Sequence, residues 1–167
     1  EQLGRALKEK GYNVNVMNAG VSGDTSTGGL ARLDWAVGPD TDALILELGS
    51  NDALRGIEPE VTRANLDAIL QKMSERGVKV LIAGMLAPPN MGDDYAADFN
   101  GIFADLSEKY EAPLYPFFLD GVAAERHLNL PDGMHPTEEG VSIIVERILP
   151  LVEQLIDGPS EETAAIN

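Results

Sequence analysis

Residues Asp132-Gly133-Met134-His135-Pro136 place a carboxylate three positions ahead of an imidazole. A hydrolytic general base needs that pair: a histidine free to take a proton, and an acidic group that fixes its tautomer and stabilises the imidazolium. On a helix, residues three apart both point outward, whereas a Gly-containing turn lets the Asp132 carboxylate fold back onto the His135 ring. Taken alone, Asp-x-x-His also describes an ordinary helix-entry turn, so its company decides. Acyl chemistry also needs donors for a tetrahedral oxyanion, and losing one costs about 3–4 kcal/mol of transition-state stabilisation. The backbone N–H of a loop glycine such as Gly23 is one kind of donor, and the side-chain amide of Asn51 is another. Neither group ionises, so both stay donors at any working pH. Each has a plainer reading beside this one, a turn glycine for Gly23 and an Asx turn for Asn51.

The elements that must position these residues read as alternating helices and strands. Residues 2–10 have the spacing of a helix, with Leu3, Ala6 and Leu7 on one face and Gly11 as a stop. Asn13 to Met17 is expected to be a strand, and a helix follows the polar loop 18–26 to about Val37, with Leu30, Leu33 and Trp35 as its apolar positions. The nearly continuous apolar run Ala43–Leu48 suits a strand buried on both faces of a parallel sheet. A helix from Pro59 to Gly77 carries Leu66, Ile69, Leu70 and Met73 on one side, and Val78–Ala83 is a further strand. Tyr95, Phe99, Ile102, Phe103, Leu106 and Tyr110 keep helical spacing across 94–110 and read as core. A short strand near Leu114–Phe117 precedes the Asp132–His135 turn. The last helix starts behind the N-cap Thr137, with Pro150 expected to kink or divide it and a polar tail from residue 157. The domain is therefore expected over 1–156. This order implies an α/β sandwich with an open parallel sheet, whose ligand crevice lies at the carboxyl ends of the strands. The loops at 18–26, 49–57, 85–93 and 120–136 each follow an expected strand, so Gly23, Asn51 and His135 are expected to meet at one rim.

The bulk properties narrow the function classes. With 167 residues and 44% apolar content, the chain has enough material for a single domain with a real core. Twelve basic against 28 acidic residues, a formal charge of −16, disfavour nucleic acid and anionic membrane surfaces as partners. No apolar run is long enough to span a bilayer, which argues against a stable membrane anchor. The absence of cysteine excludes disulfides, thiolate metal sites and a Cys nucleophile.

Together Gly20-Val-Ser-Gly-Asp-Thr-Ser26, Leu48-Gly-Ser-Asn-Asp52 and Asp132-Gly-Met-His-Pro136, in that order, closely resemble the SGNH (GDSL) hydrolase family, in particular its bacterial branch of multifunctional esterases, arylesterases and lysophospholipase/thioesterases. The resemblance runs from about Val14 to Leu155. It implies a three-layer α/β/α sandwich with a flavodoxin-like parallel sheet, and hydrolysis of a small-molecule ester or thioester without metal or organic cofactor. By the same likeness Gly23 and Asn51 are oxyanion-hole donors, His135 is the general base and Asp132 its orienting partner. The loop from Leu86 to Met91, with Leu86, Ala87 and Pro88 as substrate-binding residues, would line the acyl groove, stiffened by Pro88-Pro89. Relatives on this branch are often periplasmic, which tilts the expected location toward the periplasm or secretion.

The family's first motif, Gly-Asp-Ser-Leu, supplies the nucleophile and does not occur in the 167 residues. The family pattern places that serine upstream of Glu1, at the end of a central strand flanked by Asn13–Met17 and Ala43–Leu48, so the chain is expected to be part of a larger polypeptide. Ser22 and Ser50 are weaker substitutes, because each adjoins a residue that already has the oxyanion role. Three rival readings are a non-catalytic relative that binds acyl or glycan ligands, a carbohydrate acetyl esterase, and a divalent-metal hydrolase using Asp24, Asp52 and Asp132. His127 has no acidic partner at similar spacing and reads as a surface residue.

Overall fold

The computed structural model describes residues 1–158, and these divide into two compact units. One unit is Ala19–Phe117; the other joins Glu1–Asn18 to the described chain from Phe118 on. Most of the expected polar tail lies outside the described residues, and Asp157 itself closes the last helix.

The unit Ala19–Phe117 holds the sheet. Strands β1 (Ala43–Leu46), β2 (Lys79–Ala83) and β3 (Leu114–Tyr115) pair in that order and all run parallel. Ala43 pairs with Lys79 and Leu46 with Ile82, while Ile82 and Ala83 meet Leu114 and Tyr115. Parallel neighbours need a crossover, and both crossovers are helical. After β1 come α4 (Ser50–Leu54) and α5 (Pro59–Glu75), numbered behind the short α2 (Ser26–Ala31) and α3 (Leu33–Ala36); after β2 come α6 (Asp93–Asn100) and α7 (Ile102–Tyr110). Strand β2 has a neighbour on each side, and Val80, Leu81, Ile82 and Ala83 are all buried. In β1, which among the described residues pairs with β2 alone, only Leu46 is buried. The α5 face works as its spacing predicts, with Leu66, Ile69, Leu70 and Met73 at most 2% exposed. Phe99 packs edge-on against Phe103, and the half-buried Tyr95 and Tyr110 send their hydroxyls to Ile57 O and the Asp67 carboxylate.

In the other unit, α1 (Gln2–Glu9) lies along α8 (Glu138–Asp157). Gln2 donates to the Glu138 carbonyl, Lys10 pairs with Glu153, and Tyr12 donates to Asp157 at 2.6 Å. That last bond, with lesser help from desolvation, pushes the Tyr12 phenol up to about 12. The buried stripe Ile144, Ile148, Val152 and Leu155 runs down α8, and Val122 and Leu128 pack on Ile144.

Several expectations change. Residues 13–17 form no ladder; Val14, Val16 and Met17 are 42%, 43% and 76% exposed. β-Branched residues favour a strand only where a neighbouring backbone completes it, and among the described residues the one sheet contains β1, β2 and β3 alone. The helix expected up to Val37 breaks at Arg32 into α2 and α3, and Trp35 is 83% exposed. The 94–110 helix divides at Gly101, and the loop expected after β1 contains α4. Helix α8 passes Pro150 undivided, since proline forfeits one ladder bond while the apolar stripe on either side stays buried.

Candidate active site

The histidine turn is built by backbone bonds. Gly133 N–H donates to Leu130 O at 2.8 Å and Leu130 N–H to His135 O at 2.7 Å, closing a tight loop that needs Gly133 at φ +69°. Thr137 N–H then donates to Leu128 O, and the Thr137 hydroxyl caps α8 by accepting from Gly140 N–H. Buried Asn129 anchors the loop from beneath, donating to the carbonyls of Val122 and Glu125. Within this frame Asp132 Oδ2 lies 2.8 Å from His135 Nδ1, while Oδ1 accepts the N–H groups of Met134 and His135 at 2.9 and 3.0 Å. The His135 amide, then that of Met134, then the ring hold the Asp132 carboxyl down to about 2. An ionised carboxylate can only accept, so Nδ1 is the donor and Nε2 keeps the lone pair that takes a proton. Both side chains are open to solvent.

Gly23 and Asn51 belong to the sheet-bearing unit. Gly23 stands at φ +78° in a turn closed by Asp24 N–H on Val21 O, and Asn51 is in the first turn of α4. Among the described residues neither the Gly23 N–H nor the Asn51 carboxamide has a protein partner, which leaves both as available donors. Side chains hold the Gly23 turn: Arg32 bonds Asp24 Oδ2 at 2.6 Å and Ala19 O at 2.7 Å, and Arg55 Nη2 donates to Gly23 O at 2.6 Å. Asp52 is fully buried and accepts from Ser26 N–H at 2.8 Å, Ser26 Oγ at 2.5 Å and Thr62 Oγ1 at 3.1 Å. Sequence reasoning considered Asp24 and Asp52 as metal ligands; in the structure the first is paired with Arg32 and the second is enclosed by hydroxyls. It missed Ser26, Arg55 and Thr62 altogether. A carboxylate immediately after Asn51, with a Thr-Ser helix start in the preceding motif, was the available signal.

Leu86, Ala87 and Pro88 follow β2. Leu86 is 46% exposed, and Ala87 N–H is tied to Asn100 Oδ1 at 2.8 Å. Among the described residues no hydrogen bond reaches the hydroxyl of Ser22 or Ser50. Gly23 and Asn51 are thus brought into one unit, and Asp132 and His135 into the other.

A sequence profile of the GDSL-like lipase/acylhydrolase family matches residues 1–143. Over 155 residues the chain is 37% identical to the esterase TesA of Pseudomonas aeruginosa, covering 92% of this chain and 77% of that protein. It is 33% identical over 147 residues to the thioesterase 1/protease 1/lysophospholipase L1 of Escherichia coli K12, covering 87% of this chain and 71% of the relative. A crystal structure of TesA superposes with a TM-score of 0.86 at 36% identity, covering 92% of this chain and 86% of that one. The α/β fold expected from the motifs is the one this superposition with the TesA structure supports.

Proposed function

Because the chain belongs to the GDSL-like lipase/acylhydrolase family, we propose that His135 is its general base, Asp132 the acid that orients it, and Gly23 and Asn51 its oxyanion donors. The protein is a carboxylic ester hydrolase, and hydrolysis of esters and thioesters is the activity of its family branch. The observation that carries the residue assignment is the double grip of Asp132 on His135, through the ring at 2.8 Å and the amide at 3.0 Å. A serine hydroxyl, as in the family's Gly-Asp-Ser-Leu motif, attacks the acyl carbon and passes its proton to His135 Nε2. The carbonyl oxygen becomes an oxyanion and takes hydrogen bonds from the Gly23 N–H and the Asn51 amide. His135 then protonates the leaving alcohol or thiol, and later removes a proton from the water that splits the acyl-enzyme.

We assign the acyl group to the loop Leu86, Ala87 and Pro88, supported by its open apolar leucine and the bond that fixes Ala87. Aryl esters and single-chain acyl esters, lysophospholipids among them, suit such a surface better than charged polymers do. The acidity of the chain favours neutral over anionic partners, and no helix among the described residues is long and apolar enough to cross a membrane. The test is turnover of p-nitrophenyl acyl esters, with fluorophosphonate labelling, by the protein as its gene encodes it and by its His135→Ala variant. Loss of both in the variant is expected; labelling and turnover unchanged by the substitution would remove His135 from the mechanism.

A further inference from the structure

We propose that Arg55 is the positioning residue of the oxyanion hole, holding the Gly23 turn in register with Asn51; the proposal rests on the reading of those two as the donors. The two donors are on separate segments, Gly23 in the turn ahead of α2 and Asn51 in the first turn of α4. Arg55 closes α4, its N–H making the helix-end bond to Asn51 O at 3.1 Å that any residue there would make. Its guanidinium reaches from that helix end to donate to Gly23 O at 2.6 Å. The carbonyl it holds belongs to the residue whose N–H is the donor, so its grip limits rotation of Gly23 about φ and ψ. Asp52, through Ser26, makes the second tie between the same two segments, three residues further along the turn.

The partner choice is informative. In a chain with 28 acidic residues, Arg55 forms no ion pair among the described residues and gives its charge to a backbone carbonyl instead. The bond is exposed, so it adds little to folding stability. A donor displaced by about 1 Å, by contrast, slows a positioned reaction by up to about 100-fold. The effect therefore belongs in turnover and not in the melting temperature.

The experiment compares Arg55→Met, Arg55→Lys and Asn51→Ala with the parent protein as its gene encodes it, on a p-nitrophenyl ester. Arg55→Met is expected to lower kcat by about tenfold or more, with KM changed less than about twofold and Tm unmoved. Arg55→Lys, which keeps a charged donor on a flexible stem, is expected to recover part of the loss. If Asn51→Ala lowers kcat while Arg55→Met matches the parent, Arg55 has no positioning role and the donors stand. If Asn51→Ala leaves kcat unchanged, the oxyanion reading itself fails and the proposal goes with it. A fall in kcat with a matching fall in Tm and no recovery by lysine would mark general damage and would also overturn the proposal.

Discussion

Asp132 grips His135 at two points, its Oδ2 on the ring Nδ1 and its Oδ1 on the backbone N–H of the same residue. The carboxylate therefore sets where the histidine is as well as which tautomer it adopts. Asp132→Asn leaves an oxygen for the amides but puts a neutral amide beside the ring, removing the charge that stabilises the imidazolium. We expect kcat for ester hydrolysis to fall by about 100- to 10,000-fold with KM little altered, and His135→Ala to abolish turnover. Steady-state kinetics on both variants checks this, and an Asp132→Asn enzyme at parental kcat would contradict the orienting role.

The same geometry fixes a pH dependence. The folded carboxyl of Asp132 is lowered from 3.8 to about 2, chiefly by the His135 and Met134 amides. A lowered acid pKa means that the unfolded chain binds the proton more readily. The turn's contribution to stability is thus complete above about pH 4 and disappears as pH falls toward 2. Carboxyl-carbon NMR should show Asp132 titrating near 2; a midpoint near 3.8 would mean the turn is not formed in solution. An acid limb in the pH–rate profile above pH 4 then cannot come from Asp132.

The Asp52 cluster has a sharper stability signature. Asp52→Ala strands three buried donors, those of Ser26 N–H, Ser26 Oγ and Thr62 Oγ1. Each costs about 1–3 kcal/mol when left without an acceptor, so a loss of at least about 3 kcal/mol is expected. Asp52→Asn should cost less, about 1–2 kcal/mol. Its oxygen can keep the Ser26 N–H, while the two hydroxyls can turn and accept from its NH₂. Urea unfolding of the two variants measures the order, and equal losses below about 1 kcal/mol would show that the cluster contributes little.

What was legible in the sequence was whatever depends on neighbours in the chain. The α5 stripe, the Thr137 cap and the Asp132–His135 turn are local patterns, and the structure contains all three. Residues 13–17 have strand composition, but a strand also needs a partner backbone, which no local pattern supplies. Arg32 and Gly101 interrupt apolar periodicities that continue beyond them, so each pair of short helices reads as one longer helix. Ser26 and Asp52 are 26 positions apart and meet only after folding, so no local pattern shows that they tie the donor loops together.

Gly140 offers a prediction whose sign runs against helix propensity. Within a helix, Gly→Ala ordinarily gains up to about 1 kcal/mol. Here a Cβ would lie 2.4 Å from the Leu128 carbonyl oxygen and 3.1 Å from both Pro136 Cβ and Val122 Cγ1. That carbonyl is backbone and already accepts the Thr137 N–H, so it cannot swing aside cheaply. Relief must come from shifting the chain between Leu128 and Thr137, which carries Asp132 and His135. Gly140→Ala is therefore expected to destabilise the protein by about 1–3 kcal/mol, the usual cost of overpacking. It should also lower kcat and move the Asp132 titration upward from about 2 toward the ordinary carboxylate range. The three readouts are linked through one displacement, so a variant more stable than its parent, with turnover and titration intact, would show that the helix and the histidine turn are not packed as closely as the glycine implies.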